Sequence, residues 1–356
     1  MAHPPVLPAP VLRQARLQLI EGADPASTGI DQRLARSWQR SLAAGLSPTG
    51  RLFNPDPLSG PDLQRALVRN HDLVAHSRPV MEYLFEQVRQ SHNMVILADD
   101  RGVLMHTLGD ADFLGKAERV ALTSGASWHE QQRGTNAIGT ALAEGANVEI
   151  HGAEHFLERN GFLTCAAAPI IAATGQLLGV LDISGDQRSR HPHTLSLVNT
   201  AARMIENRLL MSSCRRRIRL HLHTHPEGIG TVAEGLIALS DDGWIVGANR
   251  SGLALLGLRP ADIGATPLLR LLDTRLERLL DAANKRPEQP HAVRRHDGSV
   301  LYAQIHAERS PALAGRRSDA PPAADALSRL DTGDARWRSA ADKARRIAGK
   351  GIPVVL

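Results

Sequence analysis

Residues 163–185 read LTCAAAPIIAATGQLLGVLDISG, and this stretch decides the fold. Two apolar runs of strand length, 163–172 and 177–184, flank the turn residues Ala173, Thr174 and Gly175. Runs of this length around so short a turn predict two neighbouring antiparallel strands. A sheet that contains this pair needs further strands and a covering layer of helices, and the flanking sequence supplies both.

Strand and helix patterns alternate upstream of this pair. Residues 148–151 form another short apolar run, and residues 94–98 and 103–107 predict a hairpin around a turn at 99–102. Apolar residues recur at helical spacing over 12–20, 30–44, 61–90 and 136–144. This part of the chain therefore predicts an α+β fold, an antiparallel sheet flanked by helices, with a helical region at its N-terminal side.

A second, smaller α+β pattern follows downstream. Residues 192–211 have helical spacing, and the pattern allows this helix to continue through the basic stretch 215–217 as a connecting rod. From residue 229 onward, the strand and helix patterns cover 236–239, 244–248, 250–256, 290–295 and 300–307. Residues 311–324 are rich in Pro, Ala, Arg and Asp and have no periodicity, which predicts a linker.

Composition limits the function classes. The 356 residues carry a formal charge of +5, but Lys and Arg are interspersed with Asp and Glu, so charge alone does not establish DNA binding. Cys165 and Cys214 are the two cysteines and lack metal-ligand spacing, which disfavours a disulfide framework or a zinc site. No leader pattern and no run of about 18 apolar residues is present, so we expect a soluble, cytoplasmic protein without membrane association.

Several motifs in residues 128–207 closely resemble the GAF sensor domains of sigma-54-dependent transcriptional activators of the acetoin-regulator type. The matching blocks occur in the family's order, and Ser37-Trp38-Gln39-Arg40-Ser41 resembles the helix that precedes the sensor. The blocks are Trp128, GTNAIGT at 134–140, EHF at 154–156, TCAAAPI at 164–170, GVLDISG at 179–185 and IEN at 205–207. Residues 229–308 resemble a PAS domain, from GLIA at 235–238, the DDG turn at 241–243 and the closing DG turn at 297–298.

The resemblance implies a domain order. Residues 1–60 are expected to form a tail and helices, 61–214 the GAF sensor, 215–228 a connector, 229–310 the PAS-like domain, 311–330 a linker and 331–356 the entry to an AAA+ ATPase domain. The glycine-rich phosphate-binding loop GxxxxGK[ST] of that ATPase is missing from the sequence, because the stretch around Lys350 lacks the first glycine and the hydroxyl residue. ATP hydrolysis and operator binding would therefore require domains outside this sequence.

The resemblance also implies a function. We expect a sensor, not an enzyme, that binds a small metabolite such as acetoin or a related diol in the GAF domain and controls a downstream ATPase. No cofactor or metal is expected; the expected partners are an effector, a second copy in a homodimer and, through the other domains, sigma-54 RNA polymerase and DNA. The predicted pocket residues are Trp128, Asn136, Thr140, His151, Phe156, Thr164, Ala166 and Ile183.

The individual residues also have simpler explanations. Asn136 at the start of a helix suits either a ligand oxygen or an ordinary helix cap. His151, Glu154, His155 and Phe156 follow a strand where GAF domains close over a ligand, and they suit either a pocket wall or packing. The buried-type Cys165 indicates a small apolar side chain more than a redox sensor, since no second cysteine is near. Asp182 suits a structural hydrogen bond, because no nucleophile or metal ligand accompanies it.

The connector offers three further alternatives. His221, His223 and His225 alternate and would share one side of an extended chain, but the pattern favours a solvated linker over a metal site. The arginines in 215–219 favour a solvated helix face over a phosphate-binding patch. The stripe over 195–211 suits packing against its own domain or against a partner chain.

A second function from another class is a protein-interaction module. Dihydroxyacetone kinase regulators have a similar layout, and there kinase subunits dock on the sensor half. A pocket filled by its own side chains would favour docking, and an open polar cavity would favour a metabolite. An enzyme is disfavoured, because no arrangement of nucleophile, base and oxyanion donors is visible in the sequence.

Overall fold

The computed structural model describes residues 7–50, 57–286, 289–307 and 337. Apart from Trp337, the predicted linker over 311–330 and the predicted ATPase entry over 331–356 lie outside the described residues.

The predicted strand pair lies at the centre of a five-stranded antiparallel sheet. Its order is β2-β1-β5-β4-β3, so that the last of its strands in sequence, β5, lies in the middle. The strands are β1 (Asn93–Asp99), β2 (Leu104–Gly109), β3 (Val148–His151), β4 (Leu163–Ile171) and β5 (Leu177–Asp186). The predicted α+β class is confirmed.

Helices cover both faces of this sheet because its central strands are apolar on both sides. Successive side chains of a strand point to opposite faces, so Ile96 belongs to one core and Leu97 to the other. The helices are α1 (Ala9–Ile20), α2 (Gln32–Ala43), α3 (Gly60–Arg69), α4 (His71–Val88), α5 (Ala111–Arg119), α6 (Glu130–Arg133), α7 (Ala137–Glu144) and α8 (Thr194–Ser213). One face packs against α1, α2, α5 and α7, and the opposite face packs against α4 and α8.

The N-terminal helices form part of the first core. Leu12 and Ala15 on α1 and Leu34 and Trp38 on α2 are buried with the strand side chains of the Ile96 face. The single helix predicted over 61–90 is instead two helices, α3 and α4, because Asn70 ends the first one and its side chain donates to the carbonyl of Ala66.

A second five-stranded sheet has the order β8-β7-β6-β10-β9. Its elements are β6 (Ile218–His223), β7 (Gly235–Leu239), β8 (Ile245–Ala248), α9 (Arg250–Leu256), α10 (Leu276–Lys285), β9 (His291–Arg294) and β10 (Val300–His306). Helices α9 and α10 cover one face.

The predicted solvated connector over 215–228 is wrong for residues 218–223, which form the central strand β6. The reason is the alternation of Ile218, Leu220 and Leu222, which are all buried in the second core. His221, predicted to be solvated, is also buried. The domain boundaries as such stay a prediction.

Helix α8 joins the middle strands of the two sheets. It follows β5 and packs along β4 and α4 through Val198, Ala202 and Ile205. It ends at Ser213, and four residues separate it from the start of β6. The apolar stripe is therefore buried against its own domain, and the helix does not continue through 215–217.

A largely buried ion pair joins α8 to α9 of the second domain. Glu206 on α8 contacts Arg250 at 2.6 Å and accepts a hydrogen bond from the backbone N–H of Ile171 at 2.8 Å. Arg250 also donates to the carbonyl of Pro169. Burial raises the pKa of Glu206, and the arginine opposes that shift. This contact explains why an IEN motif closes the first domain.

Replacing Arg250 by Ala should lower the free energy of unfolding by roughly 3 kcal/mol, because Glu206 would remain buried without a counter-charge. Urea unfolding of both proteins measures the difference. Arg259→Ala is the control, since its pair with Asp262 is exposed to solvent and should contribute little to stability. Equal losses in the two variants would contradict a structural role for the buried pair.

Candidate functional site

The predicted pocket residues do not share one cavity. Trp128 and Phe156 lie on the face covered by α1 and α2, whereas Ala166 and Ile183 pair with each other on the strands and face α8. The alternation of side chains along β4 and β5 causes this separation. Thr164, Ala166 and Ile183 line a cavity of about 10 Å³, which has no room for a metabolite.

Asn136 is a helix cap whose polar atoms are all engaged. Its Oδ1 accepts from the N–H of Gly139 at 2.8 Å, and its Nδ2 donates to the carbonyls of Trp128 and Gly134 at 3.0 and 2.8 Å. The residue therefore caps α7 and fixes the loop before it. Of the two explanations that the sequence offered, a ligand oxygen site or an ordinary helix cap, this geometry is that of the helix cap.

Thr140 belongs to a buried network around Glu130. Its hydroxyl donates to Glu130 at 2.6 Å, and Ser37 on α2 donates to the same oxygen. Arg40 pairs with Glu130 and with Glu144, which ties α2 to both α6 and α7. Two residues of the SWQRS motif, Ser37 and Arg40, thus bond to the carboxylate of Glu130, which is 3% exposed. Glu130 was not among the predicted site residues, although a charged residue four positions before a buried GTNAIGT block was a usable signal.

His151 and Phe156 lie on a segment that the N-terminal helices hold through its backbone. Arg16 on α1 donates to the carbonyls of His155 and Phe156, both at 2.9 Å, and Trp38 on α2 donates to the carbonyl of Glu154. His151 pairs with Thr164 at the end of β3. Burial lowers the pKa of His151 and raises that of Glu154 to about 7.

A chain of buried polar side chains crosses the middle of the first sheet, on the face covered by α1 and α2. Ser184 lies 2.6 Å from Asp182 and 3.0 Å from the sulfur of Cys165, and that sulfur lies 3.6 Å from Nε2 of His155. All four residues are at most 4% exposed. Apolar side chains surround them, since Asp182 is paired with Ile96 and Ala167.

The contacts define which group is the donor in each of these hydrogen bonds. The Nδ1–H of His155 donates to the carbonyl of Gly152 at 3.0 Å, so Nε2 accepts from the Cys165 thiol. The Ser184 hydroxyl has one hydrogen, and every contact is satisfied when it donates to the sulfur and accepts from a protonated Asp182. Geometry therefore favours the neutral carboxyl. Burial raises the pKa of Asp182 to about 7 and lowers that of His155 to about 4, in agreement with this pattern.

Two buried residues of the first domain keep unused hydrogen-bonding atoms. Oδ1 of Asp182 and both side-chain amide atoms of Asn160 are buried without a partner in the described structure. Buried polar atoms are normally paired, so unpaired ones on a sensor core are suited to a small polar ligand. The alternation of Asp182 and Ser184 on one side of a buried strand was the sequence signal, and the sequence analysis assigned Asp182 only a structural hydrogen bond.

The arrangement does not resemble an activated nucleophile. Burial raises the pKa of the Cys165 thiol, so the thiol stays protonated. Within residues 7–50, 57–286 and 289–307, no cluster of three His, Cys, Asp or Glu residues could hold a metal ion. None of the helices described is both long and apolar enough to cross a lipid bilayer.

The fold and this interior define a class, a GAF-type sensory domain joined to a PAS-like domain. The family model of the MimR N-terminal domain matches residues 10–207. The chain belongs to this family. It corresponds to the N-terminal sensory region of such transcriptional activators, as the sequence motifs predicted.

Named relatives place the chain among regulators of transcription. The acetoin catabolism regulatory protein of Cupriavidus necator is 33% identical over 92% of this chain and 50% of its own length. The propane 2-monooxygenase operon transcriptional activator MimR of Mycolicibacterium smegmatis is 31% identical over 55% of this chain and 33% of its own length. The chain therefore spans half or less of the length of these relatives. The crystal structure of the E. coli DhaR(N)-DhaL complex shares the fold, with a TM-score of 0.50 and 15% identity over 78% of this chain and all of that one.

Replacing Asn136 by Ala should destabilise the protein, since three buried hydrogen bonds are lost with the side chain. The expected decrease in the free energy of unfolding is roughly 2–4 kcal/mol, measured by urea denaturation. Asn136→Asp keeps the cap acceptor and should lose less. If Asn136→Ala is as stable as the wild type, the residue is free to serve a ligand instead.

The pKa of Asp182 predicts a pH dependence of stability. The folded protein holds a proton that the unfolded chain releases above about pH 4, so this aspartate lowers the free energy of unfolding as pH rises from about 4 to 7. Glu154 acts in the same direction, and His155, whose folded pKa is lowered, acts in the opposite one up to about pH 6.5. Asp182→Asn removes only the first contribution.

The stability of Asp182→Asn relative to the wild type should therefore increase by roughly 1–4 kcal/mol between about pH 5 and pH 8. Urea unfolding at the two pH values gives the difference. The matched control is Asp262→Asn, at an exposed aspartate whose pKa is held low by Arg259, and it should show no such increase. A constant offset for Asp182→Asn at both pH values would mean that the carboxyl is ionised throughout.

Proposed function

We propose that this chain is a metabolite sensor whose first domain binds a small uncharged hydroxy or carbonyl compound and controls a downstream ATPase in a sigma-54-dependent activator. Acetoin is the leading candidate, because the names of two relatives connect them to acetoin catabolism or to the acetoin dehydrogenase operon. The observation that carries the proposal is the unpaired Oδ1 of a buried, neutral Asp182.

The chemistry of the interior favours an uncharged ligand. A neutral carboxyl offers its carbonyl oxygen to a ligand hydroxyl and does not attract a cation, and a neutral His155 does not attract an anion. A ligand carbonyl would need a donor, for which Nδ2 of Asn160 is available. The buried rings of Trp128 and Phe156 belong to the same core and supply apolar walls. Direct contacts from the eight predicted pocket residues stay a prediction.

The signal would leave the first sheet through α8. Asp182 and Ser184 lie on β5, which leads into α8, and Glu206 on α8 holds Arg250 of the second domain. A ligand shifts such an equilibrium only by its different affinity for the two states, so the interior of the first sheet and α8 must rearrange together. We propose no catalytic step, since burial keeps the Cys165 thiol protonated and lowers the pKa of His155, which accepts from that thiol, to about 4.

The remaining partners follow from the same proposal. The sensor would act as a homodimer in the cytoplasm, and sigma-54 RNA polymerase and DNA would be contacted by further domains of the full activator.

A second candidate function is regulation by a docked protein. The supporting observation is the fold shared with DhaR(N), which was crystallised in a complex with DhaL. The close packing at Asn136 and Trp128, where side-chain polar atoms are engaged within the protein, also suits this alternative.

The test is calorimetric titration of the 356-residue chain with acetoin, 2,3-butanediol, 2-propanol and phenol, supported by thermal-shift measurements. A ligand selective for the folded state raises the melting temperature, and we expect one chemical class to do so. Asp182→Asn keeps the acceptor oxygen and the donor to Ser184, so its affinity should stay within about threefold of the wild type. Asp182→Leu has a similar shape but no acceptor, and should bind at least about tenfold more weakly.

Equal affinities of the wild type and Asp182→Leu would exclude Asp182 from the site. If Asp182→Leu does not fold, Ser184→Ala provides a second variant, which removes the hydrogen bonds that Ser184 makes to Asp182 and Cys165. Absence of binding by every compound would favour the docked-protein function.

A further inference from the structure

We propose that the cleft between the C-terminal end of α8 and the second sheet binds a small phosphorylated compound with two or more negative charges. The cleft has a volume of about 520 Å³, within the range of small-molecule sites. Its charged and titratable lining residues are His76, Arg208, Arg215, Arg219, His221 and Glu234. This site is separate from the interior of the first sheet and does not rest on the function proposed above.

The lining has an excess of positive charge that the protein does not neutralise. Arg208, Arg215 and Arg219 make no ion pair with a carboxylate of the described residues. Glu234 is the acidic residue of the lining, and its carboxylate already accepts from Nδ1 of His221 at 3.0 Å and from the N–H of Gly230 at 2.8 Å. Three unpaired guanidinium groups around one cleft favour a multiply charged anion.

The alternation of β6 explains how these groups come to line a cleft. Leu220 and Leu222 point into the second core, so Arg219 and His221 point to the opposite face, toward α8. The neighbouring strand adds His306, whose ring lies 4.7 Å from that of His221. The sequence-based assignment of 215–219 to a solvated helix face therefore does not describe Arg219, which lies on a strand.

Two buried side-chain nitrogens in this wall have no partner in the described structure. Nε2 of His221 and Nε of Arg219 are inaccessible to solvent and unpaired in the described structure, and His221 is 9% exposed. With Nδ1–H of His221 donating to Glu234, Nε2 of the neutral ring is an acceptor, which a hydroxyl or P–OH group of the ligand can satisfy. A phosphate oxygen accepts from the guanidinium of Arg219, and arginine binds phosphate through two parallel hydrogen bonds.

The position of the cleft gives binding a structural consequence. Arg208 belongs to α8 and Arg219 to β6. An anion bound by both would therefore bridge the connecting helix and the central strand of the second sheet. Such a ligand would stabilise the arrangement of the two domains that is seen here.

The test is calorimetric titration of the 356-residue chain with inorganic pyrophosphate at constant ionic strength set by sodium chloride. We expect saturable binding with one equivalent per chain. Arg208→Gln and Arg219→Gln should each weaken it about tenfold or more, since each removes charge-assisted hydrogen bonds to phosphate. The control is Arg278→Gln, which removes the same charge from an exposed position on α10 and should bind within about twofold of the wild type.

Thermal shifts with pyrophosphate check that the variants are folded and report the same order of affinities. No heat of binding to the wild type, or an equal loss in Arg278→Gln, would overturn the proposal. A duplex DNA oligomer that binds through Arg208 and Arg219 while pyrophosphate does not would also overturn it, in favour of a nucleic-acid surface.

Discussion

The strand β5 is covered on both faces, and this constraint shapes the rest of the first domain. Because no water reaches its polar side chains, Asp182 and Ser184 need partners inside the protein. Cys165 and His155 supply them, and the carboxyl is stable there as a neutral group. Burying two polar side chains on one face of a strand costs free energy. A role in recognition would account for that cost, and this connects the packing of the sheet to its proposed function.

The same burial gives the N-terminal helices a structural role. Arg16 and Trp38 bond to the backbone of residues 154–156, and Arg40 neutralises Glu130. These contacts hold the segment that carries His155 over the sheet. Residues before 60, outside the predicted sensor range of 61–214, therefore help to form its interior. A change in that interior would alter the contacts of α1 and α2.

On the opposite face, α8 serves both domains. Its apolar stripe belongs to the core of the first sheet, while Glu206 and Asn207 bond to Arg250 and Asn249 of the second domain. A helix that is packed into the core of one domain and hydrogen-bonded to the other transmits displacement better than a flexible linker would. The cleft lined by Arg208 and Arg219 lies beside this junction, so two chemically different ligands, one uncharged and one anionic, would act on the same helix.

The sequence by itself determined the fold class and most of the strands, because apolar runs of strand length between turn residues have few alternatives. It also determined the family, through short motifs in a fixed order. Tertiary structure decided which residues meet. The motif around Asn136 serves as a helix cap, and Ala166 and Ile183 face away from Trp128, since alternation along paired strands depends on register. Strand β6 was missed because its histidines suggested solvent, although its leucines fit a buried strand. The polar chain of Asp182, Ser184, Cys165 and His155 joins residues up to 29 positions apart. Pairing of β4 with β5 brings Cys165 beside Ser184, and the N-terminal helices hold the segment that carries His155.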